Sequence, residues 1–353
     1  MPVTLWLRTE VNPTERRAPL TPDDARALVA AGATVTVEES ARRVFGTAEY
    51  AAAGCRIAEP YSWPRAPADA VVVGLKSPAA QPFALRHRHL FFGHAFKGQR
   101  GGDVLLRRFA EGGGTLLDLE CLTDEAGRRV AAFGYWAGYV GAALAVLHVR
   151  GELAAPLRAT TGPDLDAALR ATPPGAPRAT PGGGVRALVV GALGRSGQGA
   201  RAALEVAGVG TTGWDLAETR DLDRAALLGY DILVNTVLTT GPAEPFLRTA
   251  DLDAPGRSLV CVSDVTCDVT SGYNLLPIYD RPTGWDAPAR RLRDTPPLDL
   301  IAIDNLPSLL PRESSTAFSA DLVPHLRTLA TGGPVWQRAI DRFTAASSGD
   351  VHG

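Results

Sequence analysis

Two apolar runs in this chain end in titratable groups. "VVVGLK" (71–76) closes on Lys76, and "LFFGHAFKGQ" (90–99) stops at His94. A lysine whose pKa is lowered by partial burial acts as a base near neutrality, and histidine titrates there without much help. Singly each is ordinary: a strand-end lysine is usually solvated, and a strand-end histidine often only caps backbone. Together they form a candidate pair for moving protons at one reacting centre. Arg17 in "ERRAPLT" and Arg128 and Arg129 in "GRRVAAFG" offer guanidinium forks for substrate carboxylates, or else pair with surface acids. Glu120, closing "TLLDLE", either orients these cations or is structural.

A second constellation has a different purpose. In "VVGALGRSG", Gly191, Gly194 and Gly197 follow a β-branched strand and open a helical pattern. Glycine is needed where a turn is tight, where backbone must approach a pyrophosphate and where helix packs on strand, and the helix N-terminus then faces the phosphates. The spacing GxxGxxG is a variant of the dinucleotide fingerprint and weak by itself. Asp215 in "GWDL" ends the next strand about 20 residues on, where a carboxylate accepts both ribose hydroxyls and repels a 2′-phosphate, favouring NAD over NADP. Arg195 and Ser196 in the turn, and Asn235, Thr236, Val237 and Leu238 at a further strand end, lie where ligands collect or simply cap loops. Because hydride chemistry belongs to a nicotinamide, the protein need supply only positioning and proton transfer, which Lys76 and His94 suit.

These groups need strands to carry them. The first third alternates strand and helix signals: "VTLWLR", then a helix in "TPDDARALVAAG" capped by Thr21 and ended by Gly32, then "ATVTVEE", "VVVGLK", "LFFGHA", a helix in "DVLLRRFAEGG", and "TLLDLE". Such alternation predicts a parallel α/β sheet. Residues 131–149, apolar with small residues throughout, predict a long buried helix. After the Pro- and Gly-rich stretch 172–184, a linker by composition, the strand–turn–helix of the glycine motif leads to "TTGWDL", "DILVNTV", "SLVCVSDV" and "LDLIAIDNLP" as further strands, and the chain beyond Ser314 reads as two helices.

With 353 residues, 45% hydrophobic and 21% charged, the chain can bury a large core and suits two domains. A net charge of −2 gives no basic excess for nucleic acid or anionic membrane. Cys55, Cys121, Cys261 and Cys267 form no CxxC pair, which argues against zinc or a disulfide scaffold; no metal is expected. The absence of a membrane-length apolar run or a signal-peptide pattern predicts a cytoplasmic protein.

Taken in order, "ERRAPLTP", "VVVGLK", "GHAFKGQ", "LDLECL", "GRRVAAFGYWAG", "VVGALGRSGQGA", "GWDLAET" and "IDNLPSLLPRES" resemble the NAD-dependent, L-lysine-forming saccharopine dehydrogenase family over essentially the whole chain, and more distantly alanine dehydrogenase and transhydrogenase. The resemblance implies two Rossmann-like doubly wound parallel-sheet domains separated by an active-site cleft. Residues 1–130 with 316–353 would form the catalytic domain and 131–315 the dinucleotide domain, the stretch 172–184 becoming a loop inside it. It implies reversible oxidative deamination of saccharopine by NAD to L-lysine and 2-oxoglutarate through an imine. Lys76 would take the proton of the secondary amine and His94 would serve imine hydration and collapse. Arg17, Gln99, Arg129, Phe133, Thr266, Cys267 and Asp268 would contact substrate. Arg128, Gly191, Gly194, Arg195, Gly197, Asp215, Thr219, Leu238, Val265, Ile303, Asp304, Asn305 and Leu306 would contact NAD, with a supporting Lys97–Asp304 ion pair.

Some positions depart from the family pattern: Asn305 stands where histidine is usual, Asn12 where a basic residue occurs, Ser196 and Thr236 where some members carry cysteine, and "TCD" (266–268) replaces smaller residues before the acid. Rival readings are a related opine dehydrogenase with another amine partner and a noncatalytic NAD sensor. The sensor would have no reason to keep Lys76 and His94 together.

Overall fold

The structure, a computed structural model, describes residues 3–96, 101–171, 184–239, 241–269 and 272–348. The chain divides into two compact units, Met1–Ala132 with Pro311–Gly353, and Phe133–Leu310. Both flanks of the stretch 172–184 fall within the second unit.

The first unit is built on β1 (Thr4–Leu7), β2 (Thr34–Glu38), β3 (Arg56–Ala58), β4 (Val71–Val73), β5 (Arg88–Phe91) and β6 (Thr115–Asp118). They lie in the order β3-β2-β1-β4-β5-β6, and all pairings are parallel. The order reverses between β1 and β4, and in open α/β sheets ligands bind at such a switch point, at the carboxyl ends of the strands. The helix Pro22–Ala30 starts as its sequence dictates: Thr21 accepts the Asp24 backbone N–H at 3.2 Å, Pro22 opens the first turn, and Gly32 turns the chain at φ 93°. The segment beyond Ser314 is two helices as expected, although the first begins earlier, at Pro311–Leu326, followed by Pro334–Ser347.

The second unit carries β7 (Arg186–Val190), β8 (Gly210–Trp214), β9 (Ile232–Asn235), β10 (Cys261–Asp264), β11 (Arg290–Asp294) and β12 (Pro297–Ile301), in the order β11-β12-β10-β9-β7-β8. All pairs are parallel except β11 with β12. Its strands read as continuous apolar runs because both faces are buried: Ala187 and Val189 enter one core while Leu188 and Val190 enter the other, and Ile232 and Leu233 split in the same way. Here the switch point lies between β7 and β9.

The predicted long helix is Gly134–Val149, begun by Phe133 as N-cap. Its small residues are explained by the helix Arg195–Val206, against which it packs backbone to backbone. A Cβ at Gly138 would stand 1.7 Å from the Ser196 carbonyl oxygen, and one at Gly199 would stand 1.9 Å from that of Tyr135. The glycine-turn helix is thus clamped from behind by the helix that opens the unit. No helix among the described residues is long and apolar enough to cross a membrane.

Overpacking of this kind costs about 1–3 kcal/mol or more. Gly138→Ala should therefore lower the urea midpoint of the full chain clearly, whereas Gly184→Ala, where an added Cβ meets nothing within 4 Å, should leave it in place.

Candidate functional site

Lys76 lies three residues beyond the last residue of β4, not on the strand itself. Its position is set by two side chains from the end of β1, the neighbour across the switch point. Glu10 Oε1 accepts the Leu75 N–H at 2.6 Å, and Oε2 accepts the Lys76 N–H at 3.2 Å. Arg8 Nη1 donates to the same Oε2 at 3.2 Å while Nη2 donates to the Lys76 carbonyl. Both side chains are buried, 1% and 9% exposed. Gly74 leaves the room for this, since a Cβ there would stand 2.5 Å from the Arg8 guanidinium.

His94 follows β5 with φ 50°, a left-handed conformation that a non-glycine residue holds only when its surroundings fix it. Its ring stacks on Phe92, planes 20° apart, and Nδ1 stands 3.3 Å from Glu120 Oε2. The hydrogen bond to Glu120 raises the imidazole above its ordinary 6.5 against the opposing effect of burial, with further help from the Glu120 and Asp118 charges; the nearby Lys76 ammonium opposes them. The structure therefore brings Lys76, His94 and Glu120 into one electrostatic group. Glu120 lies two residues past β6 and donates its own N–H to Asp118 Oδ1 at 2.9 Å. Burial pushes the Asp118 carboxyl up.

Arg17 is buried, and the buried Glu15 carboxylate grips its Nε and Nη2 at 2.8 and 2.6 Å. Arg128 is exposed and bound to Asp124 at 2.9 Å, in a turn whose ends, Thr123 and Arg129, form an antiparallel bridge. Lys97 and Gln99 lie outside the described residues.

In the second unit Gly191 takes φ 83°, and a Cβ on it would strike Thr236 Oγ1 at 2.6 Å. A Cβ on Gly197 would meet the Gly191 carbonyl oxygen at 2.1 Å. Gly194 is the N-cap of the helix Arg195–Val206 and brings no side chain to close its first turn. Asp215, directly after β8, accepts the Leu193 N–H at 2.9 Å on one carboxylate oxygen and the Leu216 N–H at 3.0 Å on the other, tying the glycine turn to the next strand; Thr219 Oγ1 donates to its carbonyl at 2.9 Å. Bare turn, uncapped helix start and adjacent carboxylate fit the pyrophosphate and ribose of a dinucleotide. Leu238, beyond β9, is exposed; so are Leu193 and Leu216, the two residues whose N–H groups Asp215 accepts, which the sequence did not single out.

At the end of β10, Thr266 donates through Oγ1 to Asp264 Oδ1 at 2.7 Å. That oxygen also takes Asn235 Nδ2 at 3.0 Å, and Tyr279 donates to Oδ2 at 2.7 Å. Asp264 is thus an internal post for the turn bearing Thr266, Cys267 and Asp268. Cys267, at φ 51°, has its thiol pushed up to about 12, chiefly by burial, so it is neutral at pH 7. Val265 donates its N–H to the Asn235 carbonyl at 3.0 Å. Ile303 and Leu306 bury their side chains in the core and offer a ligand only backbone, whereas Asp304 between them is exposed. Asn305 accepts the Trp285 indole N–H at 3.1 Å.

Against this geometry, the chain is 41% identical over 97% of its length to "Saccharopine dehydrogenase [NAD(+), L-lysine-forming]" of Neurospora crassa, covering 96% of that protein. The protein of the same name from Schizosaccharomyces pombe is 39% identical over 95% of this chain and 96% of its own. The chain belongs to the L-lysine-forming saccharopine dehydrogenase family. The family model for the alanine dehydrogenase/PNT N-terminal domain matches residues 6–140, which include Lys76, His94 and the arginines. Among solved structures, an L-alanine dehydrogenase aligns with TM-score 0.67 at 16% identity over 97% of this chain and 94% of its own. A transhydrogenase from Sinorhizobium meliloti aligns with TM-score 0.66 at 17% identity, covering 93% and 94%. Saccharopine dehydrogenase family membership therefore comes with a shared Rossmann-like plan of two parallel-sheet units.

The His94–Glu120 contact has a definite pH signature. Because His94 titrates above 6.5 in the folded chain, the pair's contribution to stability is full below that value and is lost as pH rises through the higher folded pKa. NMR titration of the His94 ring should show its midpoint falling in Glu120→Gln; an unchanged midpoint would mean that Glu120 does not set it.

Proposed function

We propose that this chain catalyses the reversible NAD-dependent conversion of saccharopine to L-lysine and 2-oxoglutarate. The observation that carries the reading is a lysine and a histidine grouped beyond β4 and β5 in a chain aligned along its whole length with enzymes of that name. NAD, when bound, supplies the hydride acceptor for the glutamyl carbon. Gly191, Gly194 and Gly197 would receive the pyrophosphate and Asp215 the adenosine ribose, with Arg128, Arg195, Thr219, Leu238, Val265 and residues 303–306 as further contacts.

Lys76 Nζ would take the proton of the substrate's secondary amine, leaving an imine once the adjacent carbon has lost its hydride. His94, held charged to a higher pH than usual by Glu120, would protonate and deprotonate the oxygen species as water adds and the carbinolamine collapses. A substrate with several carboxylates calls for fixed cations. Arg17, its orientation locked by Glu15, and Arg129 would supply them, with Phe133, Thr266, Cys267 and Asp268 completing the contacts; Gln99 is proposed from the motif alone. Since its thiol is neutral, Cys267 would act as a polar wall and not as a nucleophile.

NADH should be consumed when the purified chain is given 2-oxoglutarate with L-lysine and should persist with ornithine; consumption only with a different amine would replace the substrate in this reading. Lys76→Met and His94→Gln should each lower kcat about 10²- to 10⁴-fold with the Kd for NADH nearly unchanged. Asp215→Asn should relax the preference for NAD over NADP, checked as the ratio of the two kcat/KM values.

A further inference from the structure

The Lys76 backbone is held by side chains. β4 ends at Val73, whose carbonyl takes the Arg8 N–H at 3.0 Å; Gly74 N–H reaches Leu90 at 2.9 Å, and the Leu75 carbonyl takes the Phe92 N–H at 3.1 Å. At Lys76 both main-chain polar groups meet side chains, the N–H that of Glu10 and the carbonyl that of Arg8. The Arg8 guanidinium is in turn fixed from two sides, by Glu10 and by the Phe91 ring, whose centroid lies 5.8 Å from Cζ.

We infer that Arg8 and Glu10 are positioning residues for the reaction, fixing the main chain of Lys76 so that its Nζ, as the neutral amine, meets the proton on the substrate nitrogen. This rests on the assignment of Lys76 as proton acceptor made above. The pair bridges the switch point of the first sheet, linking the end of β1 to the segment after β4, and its register depends on a missing side chain at Gly74. Proton transfer falls steeply with misplacement, about 100-fold for 1 Å. A lysine beyond the strand's last ladder bond, with four rotatable side-chain bonds of its own, needs such a fixed base.

The test is a double-mutant cycle on the full chain, with initial rates measured for NADH, 2-oxoglutarate and lysine. Glu10→Gln keeps the size of the side chain and removes the charge that accepts the two N–H groups. Gly74→Ala keeps both charges and displaces the guanidinium, so it serves if Glu10→Gln does not fold. Each should lower kcat about tenfold or more while leaving the KM for NADH within about twofold, and each should add less than about twofold to the loss in Lys76→Met. Losses that multiply in the Lys76→Met background, or full kcat in both variants, would overturn the positioning role and leave the proposed function standing. Full kcat in Lys76→Met itself would remove both the positioning role and the assignment of Lys76 as proton acceptor.

Discussion

The first unit depends on a buried ion pair between neighbours in sequence, Arg8 and Glu10, whose partners are far away in the chain. A buried pair gains little over well-packed apolar groups, and removing one partner costs about 3–5 kcal/mol because the other charge is left stranded. Here both groups also bind backbone: Leu75 and Lys76 donate their N–H to the carboxylate, and the Lys76 carbonyl accepts from the guanidinium. The pair therefore converts electrostatic cost into a fixed loop at the point where the strand order reverses. A second buried pair, Glu15 with Arg17, fixes another guanidinium by the same means.

Around that anchor, charge is distributed about Lys76 and His94, the two candidate proton carriers. His94 is drawn toward its charged form by Glu120, and the Lys76 ammonium works against it. Asp118, buried behind them, binds the Glu120 main chain and so holds in place the segment whose carboxylate tunes the imidazole. Each of these groups sits at or just beyond the carboxyl end of β4, β5 or β6. A parallel sheet collects at one edge what the sequence spreads over more than forty positions, and this is why short, buried strands suffice.

How much of this was legible follows from what periodicity can encode. Lys76 and His94 stood out because an apolar run ended in a titratable group. "LWLRTE" has the same form, yet Arg8 and Glu10 went unread, because their meaning lies in contacts with residues 75 and 76 that no local pattern reveals. Strands β3 and β11 were missed since both are edges: "RIA" is three residues long, and "RRLRD" is almost wholly charged. The strand in "VVVGLK" ends at Val73, short of its predicted extent, and at Gly74 the Arg8 guanidinium stands where a side chain would be. Family motifs named Ile303 and Leu306 alongside Asp304, and only the fold separates the two core side chains from the exposed acid. The small residues of the helix Gly134–Val149 were visible; that they make room for a second helix backbone was not.

The central physical claim is that the main chain at Lys76 is locked by buried side chains although it lies outside any strand. Residue-resolved amide hydrogen exchange tests it most directly. The Leu75 and Lys76 amides should exchange as slowly as those of β4 and β5, since both donate to a carboxylate only 9% exposed. Exchange at the rate of an open surface loop would contradict it.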